Sequence, residues 1–235
     1  MSEEIKIILA LISSFALAML IAPLVIRGMK ALKAGQPILE YVDKHEGKSG
    51  TPTMGGIIFL LPMAIMTLIF SIDGGKMGIV AMAITLSYGL VGLLDDFLKV
   101  KLKHNKGLKA YQKIIGQLGI AIIASIYCYK NNYIGSTIEL PFCDVIIDLK
   151  WWFLPFCLII YIAMTNAVNL TDGLDGLVAK TSSVNLVFYV IIIYVCYYYA
   201  KQMGQTFYTQ ELLSLEYFAI ALLGAMLAFI WQNNF

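Results

Sequence analysis

Charge is scarce in this chain. Of 235 residues, 14% are Asp, Glu, Lys or Arg and 60% are hydrophobic. Soluble domains carry roughly a quarter charged residues, so a soluble globular class is excluded. Cysteine is equally sparse: Cys128, Cys143, Cys157 and Cys196 stand alone, with no CxxC pair and no Cys/His cluster. That excludes a zinc site and gives no disulfide framework. There are only two histidines, His45 and His104. No repeat of fixed period and no low-complexity linker is present, so residues 1–235 read as a single domain. The opening "MSEEIK" is acidic and no small-residue cleavage site follows it. The first apolar stretch is therefore read as a retained helix rather than a signal peptide.

What is present is apolar sequence in blocks of about the length that spans hydrocarbon as a helix. Seven blocks are read as spans, near 5–26, 55–72, 78–94, 114–129, 153–169, 183–200 and 212–231. The expected fold is all-α, a polytopic integral membrane helical bundle. The spans are apolar on every side, so periodicity assigns no faces. Twelve of the seventeen basic residues fall after spans 1, 3 and 5: Arg27, Lys30, Lys33, Lys44 and Lys48; Lys99, Lys101, Lys103, Lys106, Lys109 and Lys113; Lys180. The positive-inside bias places these loops in the cytosol and the N-terminus outside. The segment "YIGSTIELPFCDVIIDLKWW" is rich in β-branched residues and partly alternating. It predicts a short periplasmic β-hairpin near 134–149, with Trp151 and Trp152 anchoring span 5 at the interface.

Chemistry-bearing residues concentrate in the three basic loops. "KSGTPTMGG", residues 48–56, offers the Lys48 cation, the Thr51 and Thr53 hydroxyls, and Gly55–Gly56, where a ligand could approach the backbone. It is not a Walker A pattern, and the plainer reading is a turn before span 2. "LLDDFLKVKLKHNKGLKAYQK" opens with Asp95 and Asp96, expected at the C-terminal end of span 3, where carboxylates oppose the helix dipole. Neighbours on a helix point about 100° apart, so the two are not expected to face one partner squarely; one could face a metal and the other a substrate. "TNAVNLTDGLDGL" spaces Asn166, Asn169, Asp172 and Asp175 three apart, which on a helix shares a face. Carboxylates and amides there suit a hard cation such as Mg²⁺ or a polar substrate, against the alternative of a capped loop. Acidic groups, amides and lysines on one membrane face are the equipment of phosphoryl transfer.

At these residues the sequence resembles the polyprenyl-phosphate N-acetylhexosamine-1-phosphate transferases, most closely their phospho-N-acetylmuramoyl-pentapeptide branch. "GTPTMGG", "GLLDDFLKV", "KGLKAYQK" and "NAVNLTDGLDGL" occur in order, and the resemblance runs the whole chain. It implies Mg²⁺-dependent transfer from UDP-N-acetylmuramoyl-pentapeptide to undecaprenyl phosphate, giving lipid I and UMP at the bacterial cytoplasmic membrane. It makes Asp95 and Asp96 the paired catalytic acids, Asp95 acting on the lipid phosphate, and Asp95, Asp96 and Asp175 the metal ligands. Lys48, Thr53, Lys103, Lys113, Asn166, Asn169, Asp172 and Asp175 are then expected around the substrates. One-step and two-step displacement both stay open.

Members of that family continue beyond the equivalent of Phe235 with a Gly-Asp motif and a His-rich loop. The resemblance therefore implies the first two-thirds of such an enzyme, and little or no turnover is expected of residues 1–235 alone. Two rival classes are an inactive fragment and a transporter or channel. The latter would need mid-span charges or broken helices in symmetric halves, which the sequence does not display. The bilayer is an expected partner and nucleic acid is not. The oligomeric state, a homodimer included, is left open.

Overall fold

The computed structural model describes residues 2–31, 54–72, 74–102, 107–140, 143, 145–171 and 176–233. Seven long helices carry most of them: α1 Glu3–Ala31, α2 Ile57–Phe70, α3 Met77–Leu102, α4 Ala110–Lys130, α5 Phe153–Thr171, α6 Leu177–Gln202 and α7 Thr206–Asn233. Six of them cover an expected apolar block, and α2 lies within the block expected at 55–72, two residues short at each end. A two-stranded antiparallel hairpin, β1 Thr137–Glu139 with β2 Ile146–Asp148, forms where one was expected. Among the described residues, six helices are long and apolar enough to cross a membrane. The exception is α2, whose 14 residues reach only about 21 Å against roughly 30 Å of hydrocarbon. A turn at Gly55–Gly56 precedes it, and the Ser71 N–H closes its last turn on the Thr67 carbonyl.

Helix α3 overruns its expected end near residue 94 and continues to Leu102. Asp95 and Asp96 are therefore not at a helix terminus. Two further turns carry the chain past them, and Lys99 and Lys101 occupy the last one, where cations suit the dipole. Hydropathy detects only the apolar middle of such a helix; its backbone hydrogen bonds continue into the polar end.

The chain divides into two compact units, one of Met1–Leu108 with Leu174–Phe235 and one of Lys109–Gly173. In the first, α7 packs against α1, α2, α3 and α6. Its apolar stretch is 61% buried, far more than any other span. Small residues make this possible. On α1, Ala10, Ser14, Ala18 and Ala22 recur every fourth residue and are all fully buried. The Ser14 hydroxyl donates to the Ala221 carbonyl at 2.6 Å, and a Cβ on Gly224 would collide with the Leu11 carbonyl. On the α3 side, one Glu211 carboxyl oxygen accepts the Lys76 and Met77 N–H groups, each at 2.7 Å, and Ser214 Oγ accepts that of Gly78 at 3.0 Å. A neighbouring helix thus supplies the partners that the first N–H groups of α3 lack within it. Gly75 and Gly78 admit the approach, because a Cβ on either would overlap the α7 backbone. Nearby in α7, Glu216 is enclosed, one carboxyl oxygen without a hydrogen-bond partner among the described residues.

In the second unit α4 and α5 run antiparallel. Lys113 meets Asn169, Gln117 meets Asn166, and the Tyr129 and Phe153 rings lie 6.4 Å apart, all in one register. Asp148 fixes the exit from the hairpin. It accepts the Ser136 hydroxyl at 2.6 Å and the N–H of Lys150, a residue in the left-handed region (φ 49°), at 3.0 Å. First the hydroxyl and then the N–H hold its carboxyl below the ordinary value. That contribution is complete above the range of an unfolded Asp, about pH 4, and is lost as pH falls through Asp148's own lower value.

Two glycine substitutions test the packing. Gly224→Ala is expected to destabilise by about 1–3 kcal/mol, as overpacking does. Gly119→Ala, in the middle of α4 with nothing within 4 Å of a new Cβ, is expected to be neutral or stabilising by up to about 1 kcal/mol. Thermal unfolding of the detergent-solubilised chain measures both, and equal destabilisation would contradict the close α1–α7 approach.

Candidate functional site

Two polar groups, one in each unit, hold the expected site residues that fall within the described structure. The first is built on α3. Lys99 Nζ lies 2.8 Å from Asp95 Oδ2 and 3.0 Å from Asp96 Oδ1. The paired acids, expected not to face one partner squarely and free to serve a metal and a substrate separately, here share the Lys99 cation from either side. At about 100° per residue, Lys99 falls between them, about 40° from Asp95 and about 60° from Asp96. Its long side chain then reaches back one turn to both. Asp95 is only 8% exposed, and its other oxygen accepts the Leu108 N–H at 2.8 Å. Both its oxygens are thus engaged, one by a cation and one by the chain returning from α3. Gly107 makes that return possible, since a Cβ there would overlap the Asp95 carboxylate. Asp96 is more open, its side chain 29% exposed.

The second group lies between α4 and α5. Lys113 Nζ donates to Asn169 Oδ1 at 3.3 Å. One turn along, Asn166 Nδ2 donates to the Ile162 carbonyl of its own helix at 2.7 Å and reaches Gln117 Oε1 at 3.5 Å. An amide in an apolar span is costly without partners, and here the helix itself supplies the short bond. Gln117 is buried, and the sequence reading overlooked it. Its signal was available: a lone amide in an apolar helix, four residues beyond Lys113 and so on the same face.

Lys48, Thr53, Lys103, Asp172 and Asp175 lie outside the described residues. Gly55 and Gly56 form the turn that enters α2, as the plainer reading held. A Cβ on Gly55 would press on the Phe229 ring of α7, at 3.2 Å, so this glycine serves helix packing. Gly176, at φ 74°, starts α6 from the left-handed region. Among the described residues no three acidic, His or Cys side chains converge as a metal centre. The donor chemistry of Asp95 and Asp96, carboxylate oxygen only, fits a hard cation such as Mg²⁺. Lys99 now supplies the positive charge there.

Membrane-length helices with acids and lysines at their polar ends define a multi-pass membrane protein whose polar chemistry sits on charged helix ends. Residues 77–235 match the family model of glycosyl transferase family 4, and residues 48–60 match signature 1 of the phospho-N-acetylmuramoyl-pentapeptide-transferases. The chain belongs to glycosyl transferase family 4, on its phospho-N-acetylmuramoyl-pentapeptide-transferase branch. Proteins of that name include one from Thermoanaerobacter sp. (strain X514), 44% identical over 79% of this chain and 58% of its own length. Another, from Halalkalibacterium halodurans, is 35% identical over 98% of this chain and 68% of its own. A third, from Listeria welshimeri, is 37% identical over 95% and 67%. The chain thus spans between 58% and 68% of the length of these relatives.

The two ion pairs of Lys99 should differ in strength. In double-mutant cycles with Lys99→Met, the buried Asp95 is expected to couple by about 1–3 kcal/mol and the more open Asp96 by under about 1 kcal/mol. Unfolding of Asp95→Asn, Asp96→Asn and the combined variants measures this. Equal couplings would contradict the different burial of the two acids.

Proposed function

We propose that this chain carries the catalytic face of a phospho-N-acetylmuramoyl-pentapeptide transferase. The donor is UDP-N-acetylmuramoyl-pentapeptide, the acceptor is undecaprenyl phosphate, and the products are lipid I and UMP. This would be the first membrane step of peptidoglycan synthesis. The observation that carries the reading is the match, over 98% of this chain, to a protein of that name. The carboxylate–lysine cluster on α3 supports it, because its groups suit phosphate chemistry.

In this proposal the acceptor phosphate approaches the α3 cluster. Lys99 turns from Asp95 toward the phosphate and neutralises part of its charge. An oxygen of Asp95 is released to take a proton from the phosphate or to orient it, a role for a carboxylate within hydrogen-bond reach. Asp96 stays as the more open acid beside it. Lys113 and Asn169 hold one another in place on the donor's side, with Asn166 and Gln117 supporting them one turn away. Lys48, Thr53, Lys103 and Asp172 complete the donor site. When bound by Asp95, Asp96 and Asp175, Mg²⁺ supplies charge neutralisation for the transferring phosphoryl group. The concentration of basic residues in the loops after spans 1, 3 and 5 supports a cytosolic position for this face, with the N-terminus outside.

The assay is lipid I formation from radiolabelled donor, in a full-length context. Asp95→Asn and Asp175→Asn are each expected to lower turnover at least roughly a hundredfold, while Asp148→Asn in the hairpin changes little. Equal effects of Asp95→Asn and Asp148→Asn would overturn the site. Orientation is read separately. In a variant retaining only Cys143, an impermeant thiol reagent should label intact spheroplasts; labelling only after lysis would reverse the topology.

A further inference from the structure

The hairpin between α4 and α5 is amphipathic, and its apolar face is uncovered. The strand pairing Thr137↔Asp148, Ile138↔Ile147 and Glu139↔Ile146 continues outward through the Leu140 N–H to the Val145 carbonyl at 3.0 Å. Side chains alternate between the faces of a strand. One face therefore carries Ile138, Leu140, Val145 and Ile147, all apolar. The other carries Thr137, Glu139 and Asp148, with Ile146. Leu140, Val145 and Ile147 are exposed and Ile138 is half-buried. An isolated two-stranded hairpin is marginal in water and ordinarily needs its apolar face covered.

We propose that this face lies in the interfacial zone of the bilayer, so that lipid headgroups and upper acyl chains are what cover it. Three observations point to lipid. The helices on either side of it are apolar and largely uncovered, since α5 buries only 6% of its apolar stretch and α4 22%. The hairpin ends in an aromatic belt: Trp151 and Trp152 are both exposed and stack at 4.0 Å, and exposed Tyr133 stands at its start. Rings with an apolar body and a polar tip collect at that depth. Lys130 and Lys150 flank the hairpin where α4 ends and α5 begins, cations that suit lipid phosphates; the acids Glu139 and Asp148 are on the hairpin's other face. A shallow recess of about 390 Å³, lined by Ile126, Tyr127, Lys130, Asn131, Asn132 and Tyr133, extends the same end of α4 with apolar walls and polar donors. The hairpin is thus an interfacial anchor that fixes the depth of α4 and α5, and it uses no part of the α3 cluster.

Site-directed spin labelling tests this on the whole chain in phosphatidylcholine nanodiscs. The four native cysteines are replaced by serine, and one cysteine is placed at Ile147 or Val145 on the apolar face, or at Thr137 or Glu139 on the other. The ratio of oxygen to aqueous nickel-chelate collision is expected to be severalfold higher at Ile147 and Val145 than at Thr137 and Glu139. Using two positions on each face keeps the reading if one variant fails to fold. Water-like ratios at all four positions would overturn the proposal. Low collision with both reagents at Ile147 and Val145 would put protein there and overturn it equally. Dipolar coupling between labels would then identify a second copy of the chain as the cover.

Discussion

Lipid chains are as apolar as leucine, so helices in a bilayer gain little by hiding leucine from them. The larger unit depends instead on backbones that come within touching distance of α7. Gly224 lies against the Leu11 carbonyl, and Gly78 lies against the Ser214 backbone. The buried series Ala10, Ser14, Ala18 and Ala22 gives α1 a smooth edge for the same contact. Dispersion between close surfaces then does what burial does in water. Glu211 and Ser214 cap α3 only because Gly75 and Gly78 let α7 that close. Position along α3 in turn sets where Asp95 and Asp96 stand.

Several polar groups around the candidate site find their short bonds close by in the chain. Asp95 takes Lys99 one turn away and the Leu108 N–H from the returning chain. Asn166 takes the carbonyl one turn back in its own helix. Such local solutions leave the long contacts, Lys113 to Asn169 at 3.3 Å and Asn166 to Gln117 at 3.5 Å, as the ones a ligand could replace at low cost. A carboxylate neutralised by an adjacent lysine is stable at rest, and it is also exchangeable when a phosphate competes for that lysine. The same arrangement can thus serve folding and phosphate chemistry.

The seven apolar stretches, the hairpin at Thr137–Asp148 and the family-bearing motifs were legible in the sequence, because each is a local property of consecutive residues. Boundaries were less so. The polar ends of α3 and α6 continue the helix beyond what hydropathy detects, and this moved Asp95 and Asp96 from a terminus into a helix. The pairing of both acids with Lys99 could have been worked out from helical geometry, yet pointing directions alone hid it because they ignore the length of the lysine side chain. Gln117 was missed because an isolated amide carries no motif.

By itself the sequence determined that the chain is a multi-pass helical membrane protein, which family it belongs to, and which acids and amides gather around the ends of its apolar stretches. Composition, block length and motif order are enough for that. Tertiary structure alone decided that α7 is the buried helix and that Gly78 and Gly224 are contact points. It alone decided that Gly107 gives way to a carboxylate and Gly55 to a phenylalanine ring. The physical reason is the same in each case. In a uniformly apolar span no face is marked, so a face is chosen only when two particular surfaces fit closely enough to displace lipid between them.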